Sequence, residues 1–328
     1  LEPLVGESIF VCSGRQWKRQ RAMIDPAFTH IRLNRAFISM SAAVDDYEKH
    51  LDALACSGEP FSLDQAMSHL TADIICRTVF SASLQSKVAQ EVFDDFEVFE
   101  RSVAHVELKA LIFDPPFKKI PQHEPVLRAC ERIREHLGTL IDTHLQDDTG
   151  SFNDIASACI AARDQETGCP FSRKELVDEL GVMFLAGHET TASALTWLFF
   201  ILAVRPEVRD RVRQEVEEQS GDGAIAFETA RQLPYVRSVF RETLRLYPPI
   251  TFIPRVAMEP VTIGNTRIRK GAMIMISPWA THRSQLLWDR PEVFDPGRFS
   301  PEREKDIVPG SYLPFGMGPR TCVGAGFA

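Results

Sequence analysis

Apolar residues recur at intervals of three and four over the first two-thirds of the chain, which is the spacing of one face of an α-helix. This pattern predicts a mostly helical protein. The longest predicted helix opens at Ser172, where Ser172-x-x-Glu175 forms a capping box, and its apolar pattern continues to about Val204. The other predicted helices are residues 15–28, 35–56, 63–80, 93–111 and 125–145, a helix that begins at Pro206, and residues 235–247.

The pattern changes after Pro248-Pro249, which ends the last predicted helix. Short runs rich in β-branched residues follow, separated by turn residues, and they read as strands over 250–256, 261–268 and 273–277. No internal repeat is detectable. The sequence therefore predicts a mainly α fold with a small β-sheet, in a single domain over residues 1–328.

Composition and charge narrow the class of protein. The chain is 44% hydrophobic and 25% charged, which is typical of a globular protein. A formal net charge of −8, without a basic tract that carries interleaved aromatic residues, argues against a nucleic-acid-binding protein. Seven cysteines, scattered and without a Cys-x-x-Cys pair, are typical of a reducing compartment rather than of a disulfide framework.

The sequence shows neither a signal peptide nor an apolar run long enough to cross a bilayer. Together with a mean hydropathy of −0.12, the absence of such segments favours a soluble, cytoplasmic bacterial protein over a membrane-anchored one. The chain starts at Leu1 rather than Met and ends at Ala328, where a helix should begin, so we expect a piece that is incomplete at both ends. A membrane anchor upstream of Leu1 remains the alternative.

The most informative segment is residues 315–324, which holds three glycines and one proline around Cys322. Such a composition predicts a tight loop with exposed backbone, and N–H groups directed at one sulfur favour its thiolate form. Arg320 adds a fixed positive charge beside whatever the sulfur binds. A flat, iron-centred dianion such as haem meets these requirements; the alternative is a structural cysteine.

The spacing Phe315-x-x-Gly318-x-Arg320-x-Cys322-x-Gly324 resembles the cysteine loop of the cytochrome P450 family, the haem-thiolate monooxygenases. This resemblance implies a cytochrome P450 fold, present in part, and haem b (iron protoporphyrin IX) as cofactor. It also implies that Cys322 is the axial ligand of the iron, with the other four residues shaping the cofactor-binding loop.

A second segment, Ala186-Gly187-His188-Glu189-Thr190-Thr191, lies inside the longest predicted helix. Glycine and threonine are poor helix formers, and the Thr190 hydroxyl is placed to bond the carbonyl of Ala186, so we expect a local bend there. The alternative is close helix packing by small residues. By resemblance, this segment lies over the distal face of the haem, where Thr190 would hold a proton network and Glu189 would relay protons. A zinc site at His188 is rejected, because the second histidine of His-Glu-x-x-His is missing.

Glu242 and Arg245 fall three residues apart on one predicted helix. The surrounding residues 240–249 resemble the invariant helix of the same family, in which this pair is buried and completed by a later arginine. Here Arg298 corresponds to that arginine, whereas Gly297 replaces the family's glutamate. By resemblance these charged residues are structural.

Haem propionates need cationic or N–H partners, and by resemblance these are Trp17 and Arg21 on the first long helix, Arg255, and Arg320. That helix also carries Arg15, Lys18 and Arg19, which we call the basic patch. It is either a solvated face or a docking surface for an acidic electron donor.

The resemblance further implies a distal pocket for an apolar substrate, lined by Phe184, Leu185, Ala186, Ile250, Thr251 and Phe252. We expect one oxygen atom from O2 to be inserted into a small apolar substrate. The electrons would come from NAD(P)H through a ferredoxin with its reductase, or through a flavoprotein reductase. Two alternatives remain: a peroxide-using or hydroperoxide-rearranging haem-thiolate enzyme, and a non-catalytic haem sensor.

Overall fold

A computed structural model describes residues 2–103, 122–147, 149–220 and 225–327, and most of them are helical. This confirms the predicted mainly α class. The helices are α1 Glu2–Val5, α2 Gly14–Ile24, α3 His30–Ser57, α4 Leu63–Phe80, α5 Lys87–Val103, α6 Glu124–Leu145, α7 Ile155–Ala161, α8 Arg173–Val204, α9 Pro206–Ser220, α10 Phe227–Ala230, α11 Pro234–Leu246 and α12 Pro278–Thr281.

Local capping residues set several of these boundaries as the sequence predicts. Helix α4 coincides with the predicted 63–80, and the Ser62 side chain accepts a hydrogen bond from the Gln65 N–H. Both hydrogen bonds of the capping box at the start of α8 are present. The Glu175 N–H donates to Ser172 Oγ at 3.2 Å, and the Ser172 N–H donates to Glu175 Oε2 at 2.7 Å.

Other boundaries differ from prediction. Helix α2 stops at Ile24 and a 3-10 turn, Asp25–Phe28, follows, because Pro26 lacks the N–H that the next α-helical bond requires. The helix predicted over 93–111 begins earlier, at Lys87, and residues 104–111 lie outside the described part of the chain. The short helices α1, α7, α10 and α12 were not predicted, since an apolar period needs a longer window to be recognised.

The strands form two antiparallel pairs. Strand β1, Ile253–Val256, pairs with β4, Met273–Ile276, so that Ile253 lies opposite Ile276. Strand β2, Val261–Ile263, pairs with β3, Thr266–Ile268. The single strand predicted over 261–268 is therefore a hairpin, and Gly264 turns the chain with a φ of +57°. A glycine at the first central position is what a type II′ hairpin turn requires.

The described residues divide into two compact units, with the boundary after Ala192 inside α8. The first contains the preceding residues together with Gly326 and Phe327, and the second contains 193–325. Phe96, Phe184 and Leu137 are fully buried in the first unit. One buried cluster in the second unit consists of Ile201, Val208, Val239, Leu246 and Phe294. Folding as one domain stays a prediction.

None of the described helices, taken singly, has the length and hydropathy of a membrane span. Among the described helices, one pair, α8 and α9, has this length and hydropathy when taken together, and these two helices are bent by 108° at their junction.

Candidate functional site

The cysteine loop in the second unit is a closed turn. Gly316 and Gly318 have φ angles of +75° and +78°, a region that residues with a side chain rarely adopt. A 3-10 turn, Gly318–Arg320, brings the chain back, and the Cys322 N–H donates to the Phe315 carbonyl at 2.9 Å. The hydrogen bond joins the two ends of the loop, so the predicted tight loop is confirmed.

Cys322 differs from the other cysteines in its surroundings. All seven are thiols, and Cys12, Cys76, Cys130 and Cys159 are buried. Burial raises the pKa of the Cys130 thiol to about 11 and that of Cys76 further, so both are protonated at neutral pH. Cys322 is exposed, and a Cβ added at Gly324 would lie 3.8 Å from its sulfur. Glycine at 324 therefore leaves space beside the thiol.

Strand β1 lies against this loop. The Cδ1 atom of Ile253 is 3.8 Å from the position of a Cβ added at Gly316. Because side chains alternate along a strand, Arg255 shares the face of β1 that carries Ile253. Ile250 and Phe252 precede the strand and are 45% and 53% exposed.

These features fit a haem. The site combines an exposed thiol in an open glycine loop, arginines at 255 and 320, and accessible apolar side chains next to the strand. A flat apolar ring with two carboxylates and an iron that takes a thiolate matches each of them.

Glu242 and Arg245 form the buried pair that was predicted to be structural. Both side chains are completely buried, and the guanidinium makes two hydrogen bonds to the carboxylate, at 2.7 and 2.8 Å. Arg245 also donates to the carbonyls of His282 and Pro291, each at 2.7 Å. Arg298 approaches Glu242 at 3.4 Å, so it completes the triad even with glycine at 297.

His282 is a structural residue that no pattern in the sequence singled out. Its Nε2 accepts from the Leu313 N–H at 2.9 Å, so Nδ1 carries the proton and donates to the Arg245 carbonyl at 3.1 Å. Burial lowers the pKa of His282 to about 4, which keeps the ring neutral. A neutral imidazole thus ties the end of α11 to the segment that enters the cysteine loop.

The segment 186–191 lies on α8, in the first unit. Thr190 Oγ1 donates to the Ala186 carbonyl at 2.6 Å, as predicted. A Cβ added at Gly187 would lie 2.5 Å from Cδ1 of Ile75 on α4, which shows that the close-packing interpretation also applies. Glu189 is 48% exposed at its side chain, whereas His188 is fully buried.

The three predicted pocket residues on α8 have different exposures. Phe184 is fully buried, with its ring 4.4 Å from that of Phe96. Leu185 is partly buried, and Ala186 is exposed. Thr251, which was predicted to line the same pocket from the second unit, is exposed, and its carbonyl accepts from Ser277 Oγ at 3.1 Å. Their role in substrate binding stays a prediction.

Trp17 and Arg21, the predicted propionate partners on α2, are both partly buried. Arg21 Nε donates to Asp25 Oδ1 at 2.6 Å. A role for Arg21 toward a propionate stays a prediction, since a guanidinium carries five N–H donors.

The basic patch is largely compensated. Arg19 forms ion pairs with Glu175 at 2.6 Å and Asp164 at 3.4 Å, and Arg15 pairs with Glu166 at 2.5 Å. Carboxylates from other parts of the first unit thus neutralise most of the charge that the sequence suggested. The structure favours the solvated face over the docking surface.

A mainly helical protein with one exposed cysteine in a glycine loop is what a haem-thiolate protein requires. The family model described as Cytochrome P450 matches residues 2–328. The chain belongs to the cytochrome P450 family. The enzymes of this family are haem-binding monooxygenases, so the predicted family, enzyme class and cofactor are confirmed at this level.

Two curated relatives illustrate the match. Cyclooctatin synthase from Streptomyces melanosporofaciens is 32% identical over 326 residues, which is 98% of this chain and 69% of the relative. The chloroplastic protein LUTEIN DEFICIENT 5 from Arabidopsis thaliana is 33% identical over 350 residues, 100% of this chain and 58% of the relative. The chain therefore spans between 58% and 69% of the length of these proteins.

Solved structures show the same fold. A cyanobacterial CYP120A1 with retinoic acid bound superposes with a TM-score of 0.84 at 25% identity, covering 99% of this chain and 71% of that structure. The haem domain of cytochrome P450DA also has a TM-score of 0.84, at 21% identity, covering 99% and 71%. The predicted cytochrome P450 fold is confirmed.

Proposed function

We propose that the protein inserts one oxygen atom from O2 into an apolar organic substrate, with electrons from NAD(P)H delivered by a partner protein. The observation that carries the proposal is Cys322, an exposed thiol in a closed glycine loop. The acid and alcohol at Glu189 and Thr190 add the proton-handling groups that O2 chemistry needs.

Cys322 would hold the cofactor as a thiolate, and Arg320 and Arg255 would pair with its carboxylates. Trp17 and Arg21 on α2 are further candidates for these carboxylates. Bound haem with a thiolate ligand supplies the electron density that favours cleavage of the O–O bond.

Thr190 donates its only hydroxyl proton to the Ala186 carbonyl, so its oxygen is left to accept hydrogen bonds. The Thr190 oxygen would therefore order a water molecule, or another protonated oxygen, by accepting a hydrogen bond from that molecule. Glu189 is half exposed and would exchange protons with solvent. The two neighbours thus have separate roles, Thr190 in positioning and Glu189 in proton supply.

An apolar substrate is supported by the exposed Ile250 and Phe252 beside β1. The retinoic acid bound to the cyanobacterial relative is a largely apolar molecule and favours the same class. We propose a ferredoxin with its reductase, or a flavoprotein reductase, as the donor, and a cytoplasmic location. Because the basic patch is compensated, we do not assign the docking surface to it.

The test is the spectrum of the reduced, haem-loaded protein under carbon monoxide. We expect the red-shifted Soret band of a thiolate-ligated haem, and its loss in Cys322→Ser. Cys169→Ser is the matched control, because Cys169 is also exposed but lies outside the glycine loop. A band that survives in Cys322→Ser would refute the assignment of the ligand.

The reaction class is tested separately by following NAD(P)H consumption together with product formation from ¹⁸O2. Incorporation of ¹⁸O into the product, with one NAD(P)H consumed for each product molecule, supports a monooxygenase. Turnover with peroxide alone would point to the peroxide-using alternative, and binding of a gas without turnover to the sensor.

A further inference from the structure

His144 connects the end of α6 to the start of α7 through a buried contact in the first unit. It lies in the last turn of α6, and its side chain and that of Asp154, which precedes α7, are each 3% exposed. His144 Nε2 is 2.7 Å from Asp154 Oδ2, and Nδ1 is 2.8 Å from the carbonyl oxygen of Leu140. The ring of Phe152 stacks on the imidazole, with the centroids 3.9 Å apart. The histidine therefore holds α6, α7 and the segment between them together.

Both ring nitrogens of His144 face acceptor atoms, and this determines the charge of the ring. A backbone carbonyl only accepts, so Nδ1 carries a proton. Asp154 accepts hydrogen bonds from the Ser81 hydroxyl at 2.7 Å and from the Ser157 N–H at 2.8 Å, as an ionised carboxylate does. Nε2 then also donates, and a ring with two N–H groups is an imidazolium. The C-terminal end of the 22-residue helix α6 favours this positive charge.

The pKa values of the two side chains agree with a buried ion pair. Burial is the largest influence on His144 and opposes its charge, but the hydrogen bond to Asp154 and the charge of Asp154 raise its pKa above the ordinary value of 6.5. Burial likewise opposes the charge of Asp154, yet hydrogen bonds from His144 and from the Ser157 N–H hold the pKa of that carboxyl below its usual range.

A small polar cavity of about 60 Å³ lies beside the pair and has room for water. Its lining includes polar and charged side chains from α3, α4 and the residues that follow α4 or precede α7: Arg35, Arg77, Thr78, Ser81, Asn153 and Asp154. Arg77 pairs with Asp46 and Asp73, and Arg35 donates a hydrogen bond to Asn153 at 3.0 Å. The cavity thus offers Asp154 two guanidinium groups and space for water as alternatives to His144.

We propose that His144 and Asp154 form a pH-operated clamp on the junction of α6 and α7, closed while the imidazole is charged and released when it gives its proton to solvent. A neutral imidazole has one N–H, so either Asp154 or the Leu140 carbonyl then faces a nitrogen lone pair. Asp154 is also left as a buried charge without its counter-ion, which is unfavourable. Its carboxylate is then expected to turn into the polar cavity, and the junction opens.

The direction of the pH dependence follows from the raised pKa of His144. The clamp is fully closed below pH 6.5 and is lost as pH rises through the raised pKa of the folded protein. The equilibrium constant for opening should therefore increase by up to about tenfold per pH unit above pH 6.5, and then level off.

Among the described residues, the other charged groups near the pair keep their charge over this range. Asp147, which follows α6, stays ionised, because hydrogen bonds from Thr149 and Ser151 lower its pKa. Arg35 on α3 and Arg77 on α4 stay protonated, as guanidinium groups do. Titration of the junction is thus assigned to His144.

The first test measures the charge of the ring. Nitrogen NMR of ¹⁵N-histidine-labelled, haem-loaded protein reports the protonation of both ring nitrogens, and the spectrum of His144→Gln identifies the signal. We expect two protonated nitrogens at pH 6 and a pKa above 6.5. In Asp154→Asn the pKa of His144 should fall below 6.5, because burial remains and the counter-ion is gone. A neutral ring at pH 6 in the unsubstituted protein would overturn the clamp.

The second test measures opening by hydrogen exchange at the start of α7. The Ser157 N–H bonds to the Asp154 side chain and the Ala158 N–H to the Asp154 carbonyl, so both amides report on the junction. Their protection factors, corrected for the intrinsic pH dependence of exchange, should decrease by up to about tenfold per pH unit above pH 6.5.

The decrease should be absent in His144→Gln. His136→Gln is the matched control, because His136 lies on the same helix with its side chain 25% exposed, and there the decrease should persist. If His144→Gln does not fold, Asp154→Asn takes its place, since it also removes the ion pair. Equal pH dependence in the unsubstituted protein and in the variant without the pair would overturn the clamp. Neither test uses product formation, so failure of the proposed oxygenation leaves both results valid.

Discussion

Glu179 on α8 is a fully buried carboxyl group whose protonation should control stability around neutral pH. Both of its oxygens are 3.2 Å from the N–H of Ile9, in the segment before α2. Burial is the main reason that its pKa is raised to about 8, from an ordinary value of 4.5. The negative charge of Asp178 raises it further, while the Ile9 N–H and Arg19 oppose the shift.

The direction of the pH dependence of stability follows from where Glu179 binds its proton. Between pH 4.5 and about 8, Glu179 holds a proton in the folded protein but not in the unfolded chain. The free energy of unfolding therefore decreases as pH rises through this window. At about 1.4 kcal/mol for each pH unit, the full effect is on the order of 5 kcal/mol. Glu179→Gln removes the ionisation, and its amide oxygen can still accept a hydrogen bond from the Ile9 N–H. The free energy of unfolding of this variant should therefore not show the decrease with pH that Glu179 causes.

The assay is urea unfolding of the haem-loaded protein, followed by circular dichroism, at pH 5, 6, 7 and 8. The gain in free energy of unfolding for Glu179→Gln over the unsubstituted protein should grow steadily with pH. Asp178→Asn is the matched control, because Asp178 is paired with Arg134 at 2.6 Å and with Lys174 at 3.3 Å. That variant should be destabilised at pH 7. Parallel pH profiles for Glu179→Gln and the unsubstituted protein would refute the reasoning.

Three further predictions concern the site and its support. Glu242→Gln should lower the free energy of unfolding by roughly 3–5 kcal/mol in urea titrations, because it leaves the buried Arg245 unpaired; a loss below ~1 kcal/mol would contradict this. His282 has a folded pKa of about 4, so its stabilising contribution should be present above pH 6.5 and be lost as pH falls through 4. His282→Gln should therefore flatten the acid-unfolding profile between these values, and an unchanged profile would show that the ring does not titrate as argued. Thr190→Ala should release hydrogen peroxide while NAD(P)H is still consumed, because the acceptor that orders water is gone; unchanged coupling of NAD(P)H to product would remove Thr190 from the mechanism.

Features that depend on neighbours in the chain were predictable. The caps at Ser62 and Ser172 set the starts of α4 and α8 through bonds to residues three positions later. The hydrogen bond from Thr190 to Ala186 spans four residues within one helix. The glycine spacing around Cys322 likewise determined a tight loop, since it concerns only the conformations that the backbone permits.

Features that depend on distant residues needed the tertiary structure. The sequence places Arg15 in a basic patch, but in the folded protein Arg15 pairs with Glu166, which lies 151 residues away along the chain. Ser68 reaches His188 across 120 residues, and no spacing rule connects the two. Long-range contacts of this kind are selected by the packing of whole helices. The sequence by itself therefore determined the tight loop around Cys322 and the starts of α4 and α8, while the fold decided which charges are neutralised and which buried groups lie close together.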